Sequence, residues 1–184
     1  MSPSPDPARW RLYRGRSRLP DAASPDLRGR SYVIRVDLQR LTEQDDGVLI
    51  AHGDSHGGYS LRIAGGLLLH HYVHAGTQTV TTSTLRVPVG RRLSVEVRVT
   101  REVEAAAVQL VVDGELAGTG SIPAMARART GYTGVDVGCD RGLTVGGYPE
   151  PSSFTGQLWW VDVEAAHDQW LDQAAVLEIE TSSG

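Results

Sequence analysis

The sequence predicts an all-β protein: a two-sheet antiparallel sandwich with one short helix at its C-terminal end. Three observations carry this. Apolar and polar residues alternate through much of the chain, as in strands with one buried face. Gly, Pro and Asp divide it into about ten short segments, a spacing typical of sandwiches rather than of alternating strands and helices. Helical periodicity is scarce before residue 165.

Each element follows from its residues. Residues 1–9, with three prolines, read as an unordered arm. The sandwich spans 10–164, and 165–184 forms a C-terminal helix and tail. From 31 to 38, Tyr32, Ile34, Val36 and Leu38 alternate with Val33, Arg35 and Asp37. Gly47 to His52, Tyr59 to Ile63 and Leu67 to His74 read as three consecutive antiparallel strands. A two-residue turn at Gly65-Gly66 sets Ala64 opposite Leu67, Arg62 opposite Leu69 and Ser60 opposite His71. Tyr59, Leu61, Ile63, Leu68, His70 and Tyr72 then share the more apolar face, which should meet the core. Ser60, Arg62, Leu69, His71 and Val73 share the other, left open. A three-residue turn would exchange the two faces and expose His70, Tyr72 and His74. Further on, Leu93, Val95, Val97 and Val99 alternate with polar residues, and Val108 to Val112 runs into an Asp113-Gly114 hairpin turn. The last strand covers Phe154 to Glu164. A helix is expected over Ala165 to Glu178, with Trp170, Ala174 and Leu177 on one stripe.

Composition narrows the classes of function. A chain of 184 residues is one domain, large enough to bury a core without disulfides. Cys139 is the single cysteine, so no internal disulfide forms, and a reducing compartment is expected. The N-terminus lacks the apolar core of a signal peptide, and no apolar run approaches the roughly 20 residues that span a bilayer. A soluble, cytoplasmic protein without a membrane partner is the expectation. All 18 basic residues are arginine, and neither lysine nor asparagine occurs. Both missing residues have AT-rich codons, which points to a GC-rich bacterial genome. It also leaves no lysine amine for Schiff-base chemistry. Residues 1–40 hold nine arginines and four aspartates, a charge of +5 against −4 for the whole chain. These arginines are interrupted by Pro and Gly and lack an aromatic stacking platform. Ion pairing with the acidic body, rather than nucleic-acid binding, is therefore expected.

Several stretches carry a family resemblance. They are Tyr13-Arg14-Gly15-Arg16-Ser17-Arg18-Leu19-Pro20, Ala23-Ser24-Pro25-Asp26-Leu27-Arg28-Gly29-Arg30-Ser31, Gly47 to Ala51 and Gly57 to Leu61. Asp136 to Gly142 and Phe154 to Leu158 complete the set. Together they resemble the C-terminal domain of bacterial arylsulfatases, in order, over about residues 12–164. The resemblance implies a concanavalin/laminin-G-like jelly roll. It does not imply sulfatase activity. That chemistry belongs to a separate domain whose nucleophile arises from a Cys-x-Pro-x-Arg motif, whereas Cys139 stands in Gly138-Cys139-Asp140-Arg141-Gly142. The chain departs from the family pattern at His52, His56, His70 and His71, at Trp159-Trp160 and in the 165–178 segment.

Those departures hold the candidate site. Five of six histidines fall between 52 and 74, and imidazole is the side chain most readily tuned to titrate near neutral pH. Acid–base chemistry would use His71 and Arg62 on the open face, with His52 and Tyr72. Ligand binding would use His70, His74, Tyr59, Asp54, Trp159 and Trp160. Trp159 and Trp160, adjacent in a strand, should point to opposite faces, one into the core and the other beneath the helix beside Trp170 or onto a sugar ring. Metal is not expected: at about 3.3 Å per residue, His70 and His74 lie roughly 13 Å apart. Calcium stays an open alternative, since Asp45, Asp46 and Asp54 are available, although they lack an ordered ligand spacing. Glu96, Glu102 and Glu104 do not form the Glu-x-Asp-x-x-Glu arrangement of jelly-roll glucanases. No cofactor is implied. The leading expectation is binding of a small or carbohydrate-like ligand, anionic ones included, on one sheet face. The alternative is a cofactor-independent isomerase, cyclase or lyase. Against both stands the plain reading that strand histidines are structural.

Overall fold

The computed structural model describes residues 7–15, 18–128, 134–149 and 152–171. Eleven strands form two antiparallel sheets among these residues. They are β1 (Ala8–Leu12), β2 (Tyr32–Gln39), β3 (Gly47–Gly53), β4 (Gly58–Ala64), β5 (Leu67–His74), β6 (Thr77–Arg86), β7 (Arg92–Glu102), β8 (Ala105–Val112), β9 (Glu115–Ile122), β10 (Val135–Val137) and β11 (Gln157–Ala165). The six-stranded sheet runs β1-β11-β2-β7-β8-β9 and the five-stranded sheet β10-β3-β4-β5-β6. This is the expected jelly-roll sandwich. A single 3-10 turn, Asp21–Ala23, is the one helical element among the described residues, and none is long and apolar enough to cross a membrane.

The core follows from the alternation. Ile34, Val36 and Leu38 face inward from β2, Val95, Val97 and Val99 from β7, and Val161 and Val163 from β11. Leu61, Ile63 and Leu68 meet them from the five-stranded sheet. A bulge in β3 between Val48 and Ile50 turns Leu49 and Ile50 both into this core.

The β4–β5 hairpin has the expected register, with Ala64 opposite Leu67 and Ser60 opposite His71. Gly65 and Gly66 both have positive φ, 57° and 75°, as a tight two-residue turn requires. The expected core face is the core face. The other face is not open. The 138–149 segment lies across it, and Val145 and Tyr148 pack there on Val48, Ala51 and Val73.

Four further expectations need correction. β1 begins at Ala8, inside the stretch read as an unordered arm, because Ala8 and Arg9 pair with Ala165 and Glu164. The C-terminal strand begins at Gln157, and Phe154 is a buried core residue instead. The helix expected from Ala165 does not start there, since Ala165 ends β11 and residues 166–171 are non-helical. The side chain of Asp168 takes the Ser31 amide and hydroxyl, and the Trp170 amide donates to Gly29 O, so this stretch is tied to 29–31. The rest of that helix, with Ala174 and Leu177, lies outside the described residues. Finally, Trp159 and Trp160 share one face. A bulge between Leu158 and Trp160 adds a residue to β11, so both rings meet the Arg92 guanidinium outside the sandwich, at 4.3 and 4.9 Å. Trp170 packs elsewhere, against Arg127.

The N-terminal arginines do pair internally. Arg11 meets Asp162, Arg18 meets Asp136, Arg28 meets Asp26 and Arg35 meets Glu96, each at 2.7–2.8 Å.

Candidate functional site

A cleft of about 180 Å³ opens at one end of the sandwich. The 21–28 segment, the β3–β4 connection, Tyr72 from β5 and the 126–128 segment surround it. Its chemistry comes from Asp21, Asp26, Arg28, His52, Tyr59 and Tyr72. The chain reaches this position because the N-terminal segment changes sheets. After β1 in the six-stranded sheet, Leu19 bridges Val135 at the edge of the five-stranded one. The 21–28 segment is thereby laid over the mouth. At its far end Gly29 has φ +52° and stands against the Trp170 carbonyl, where a Cβ would come within 2.2 Å. Only glycine fits there.

An imidazole–carboxylate contact and an ion pair organise the lining. His52 Nε2 lies 2.9 Å from Asp21 Oδ1, and its ring meets Tyr59 edge-on at 5.7 Å. Arg28 grips Asp26 with two bonds of 2.8 Å. Burial alone would raise the Asp26 carboxyl, but the Arg28 guanidinium overrides it and holds the group at about 2. The phenols supply the unspent hydrogen-bonding capacity. Tyr59 Oη is buried without a protein partner, and burial pushes its ionisation well above the ordinary range. Tyr72 Oη accepts from the Ala126 amide at 2.9 Å, so its proton stays available to donate. A ligand here would find phenolic donors, carboxylate acceptors and tyrosine rings within a space smaller than the roughly 300–1,000 Å³ of drug-sized pockets.

The expected residues divide among several places. His52, Tyr59 and Tyr72 join in the cleft. His70 is buried in the sandwich with Nε2 unpartnered, and burial, with His71 nearby, lowers it to about 3. Arg62 and His71 lie beneath the 138–149 segment, where burial and then Arg62 lower His71 to about 4. That environment does not give the open-face base expected of His71. Asp54 caps its own turn by accepting from the His56 amide, and His74 sits at the end of β5; neither lines the cleft. Trp159 and Trp160 belong to the outer face of the other sheet. Among the described residues no three His, Cys, Asp or Glu side chains are grouped to hold a metal ion.

Asp21, Asp26 and Arg28 escaped sequence reasoning as site residues. They lie in an irregular segment with no period to align them. The one signal was their place within or beside the Ala23–Ser31 stretch that carries the family resemblance.

No protein-family model matches the chain, and no curated protein matches it. Solved structures do show likeness. Mouse laminin alpha1 chain domains LG4-5 share 14% identity at a TM-score of 0.49, over 90% of this chain and 40% of that one. A heptameric SAP-like pentraxin from Limulus polyphemus shares 17% at 0.43, over 94% and 74%. The receptor binding domain of botulinum neurotoxin type G shares 12% at 0.48, over 95% and 42%. The chain thus spans about two fifths of the laminin and neurotoxin chains. These likenesses carry nothing about what this chain binds.

Proposed function

We propose that this protein is a binding module for a small, neutral, polyhydroxylated ligand, of the size of one sugar unit, held in the cleft at the mouth of the sandwich. The observation that carries the proposal is Tyr59, whose buried hydroxyl has no protein partner and which lines the cleft together with Asp21, Asp26 and Tyr72. An unsatisfied buried hydroxyl costs about 1–3 kcal/mol, so a ligand that completes it gains correspondingly. The charges favour a neutral ligand over an anionic one. Arg28, the permanent cation of the lining, is already paired with Asp26, and the His52 ring is engaged by Asp21. Kinship with the arylsulfatase C-terminal domain belongs to the same reading, because the 23–31 stretch that carries it walls the cleft. So does a cytoplasmic setting, with the single Cys139 a half-buried thiol raised by burial.

Isothermal titration against neutral monosaccharides and their sulfated and uronic counterparts tests this. The neutral compounds should bind more tightly. Tyr59→Phe should weaken them by about tenfold while leaving the melting temperature unchanged or raised, since the lost hydroxyl bonds nothing in the free protein and its burial there is unfavourable. Preference for the charged compounds, or indifference to Tyr59→Phe, would refute the reading.

A second reading rests on the His52–Asp21 pair. A carboxylate that orients an imidazole beside a phenol is an arrangement suited to proton transfer. If the cleft is catalytic, His52 is the base and Tyr59 or Tyr72 the acid. Asp21→Asn would then remove turnover while sparing ligand affinity.

A further inference from the structure

A second set of unspent polar groups lies on the opposite face of the five-stranded sheet, away from the cleft. Arg62 and Ser60 project from β4 to the same side, and His71 is paired with Ser60 on β5. All three are buried, at 7%, 0% and 5% exposure. Among the described residues no carboxylate lies within ion-pair distance of Arg62, and its Nε has no hydrogen-bond partner. The Tyr148 ring stacks on the guanidinium at 4.4 Å, and the nearby carboxylates are committed elsewhere. Asp46 accepts from the Gly65 and Gly66 amides, and Asp140 from the Val145 amide and the Tyr148 hydroxyl.

The tautomer of His71 follows from its neighbour. An amide nitrogen can only donate, so Gln78 Nε2, at 2.7 Å, makes His71 Nδ1 the acceptor. The neutral ring then carries its proton on Nε2. That atom is buried without a partner. Arg62 Nε–H and His71 Nε2–H are therefore both donors, and a hydroxyl stands beside them. A buried cation is tolerated when an anion compensates it, and a group of donors lacking an acceptor defines the chemistry of what is missing.

We propose that Arg62, His71 and Ser60 form an oxyanion-binding site, taking a free or ligand-borne phosphate or sulfate, with Tyr148 and the 138–149 segment as its cover. The site is separate from the cleft and does not depend on the reading given to it. Arg62 provides charge, His71 a directed neutral donor and Tyr148 an apolar wall that keeps bulk water from competing. Four glycines with positive φ (Gly138, Gly142, Gly146 and Gly147) let the cover follow the sheet closely. Gly146 stands directly over the site: a Cβ there would come within 2.6 Å of Gln78 Nε2 and 3.0 Å of His71 Nδ1.

The test uses the whole chain with inorganic phosphate, then inorganic sulfate, against chloride at equal ionic strength. In ¹H–¹⁵N spectra, amides of residues 60–62, 69–73 and 145–148 should shift saturably with either oxyanion, and those of 21–28 and 52–58 should not. Arg62→Met should weaken binding by about tenfold or more, the scale of losing a charge-assisted hydrogen bond, and His71→Phe by a smaller factor. A phosphorylated or sulfated monosaccharide serves as a further arm: binding tighter than the free ion marks a ligand-borne group, and equal binding marks the free ion. The spectra of the unmodified protein decide the matter even if Arg62→Met does not fold. Shifts confined to the cleft, or a linear drift shared equally by chloride, would overturn the proposal.

Discussion

At the scale of single residues, burial rather than position in a strand decides what the histidines do. His70 and His71 are neighbours on opposite faces of one sheet, and both are enclosed, one by the sandwich core and one by the 138–149 segment. Their folded-state ionisation, at about 3 and about 4, lies below the roughly 6.5 of a free imidazole. The unfolded chain therefore binds more protons than the folded one between those values. Stability should be full above about pH 6.5 and fall as pH drops from there towards 4 and then 3. Urea unfolding at pH 7.5, 6 and 5 measures this, and His70→Leu should flatten the acid limb because the apolar replacement has no proton to gain. Stability independent of pH over that range would show that neither ring is shielded. His71 was legible in sequence as a partner of Ser60 and a neighbour of Arg62. Its burial was not, because the residues that cover it are 70 or more positions away in a segment without periodicity.

At the scale of elements, short-range signals were readable and single-residue insertions were not. The Gly65-Gly66 turn gave the β4–β5 register because a two-residue loop admits one pairing. The extra residue at Trp159 left no comparable trace: alternation assigns two adjacent tryptophans to opposite faces, and only the partner strand reveals the bulge. β1 was missed because five residues beside a proline-rich stretch are too few for a period to emerge. The turns also allow a direct test. Ala75 occupies the first position of the Ala75-Gly76 turn between β5 and β6 at φ 49°, where a Cβ is strained and Asn is better tolerated. Ala75→Asn should stabilise the protein by about 0.5–1 kcal/mol, read from the urea midpoint at unchanged slope. The cover over His71 offers a contrasting pair. Gly142→Ala meets open space and should cost only the positive-φ strain, about 1–2 kcal/mol. Gly146→Ala adds a clash with Gln78 and His71 and should cost more. Equal losses would mean that the cover does not sit closely on the sheet.

At the scale of the whole molecule, the basic N-terminal stretch is partly neutralised by internal pairing. Arg11, Arg18, Arg28 and Arg35 each hold an acidic partner, and the first two reach acids more than 100 positions away. Solvent screens the exposed arginine of such pairs, so the N-terminal strand matters more for the backbone it covers than for its charges. Removing residues 1–12 should bare the ladder edge of β11 beside Trp160 and Asp162. The expected result is concentration-dependent self-association, seen by light scattering, at a modest loss of melting temperature. A truncated chain that stays monomeric at high concentration would show that β11 is guarded by its own side chains.

The pairing of β1 with β11 also sets an order of events during synthesis. Arg11 and Asp162 are 151 residues apart in the chain, yet lie side by side in the sheet. At about 5–20 residues per second, the first strand is made roughly 8–30 s before its partner. Through that interval the hairpin formed by β4 and β5 can pair locally, while the six-stranded sheet lacks the strand that joins its edge to its centre. Nascent chains halted before residue 157 should therefore hold the early strand unpaired, open to proteolysis and to chaperones, until the final ribbon threads between β1 and β2.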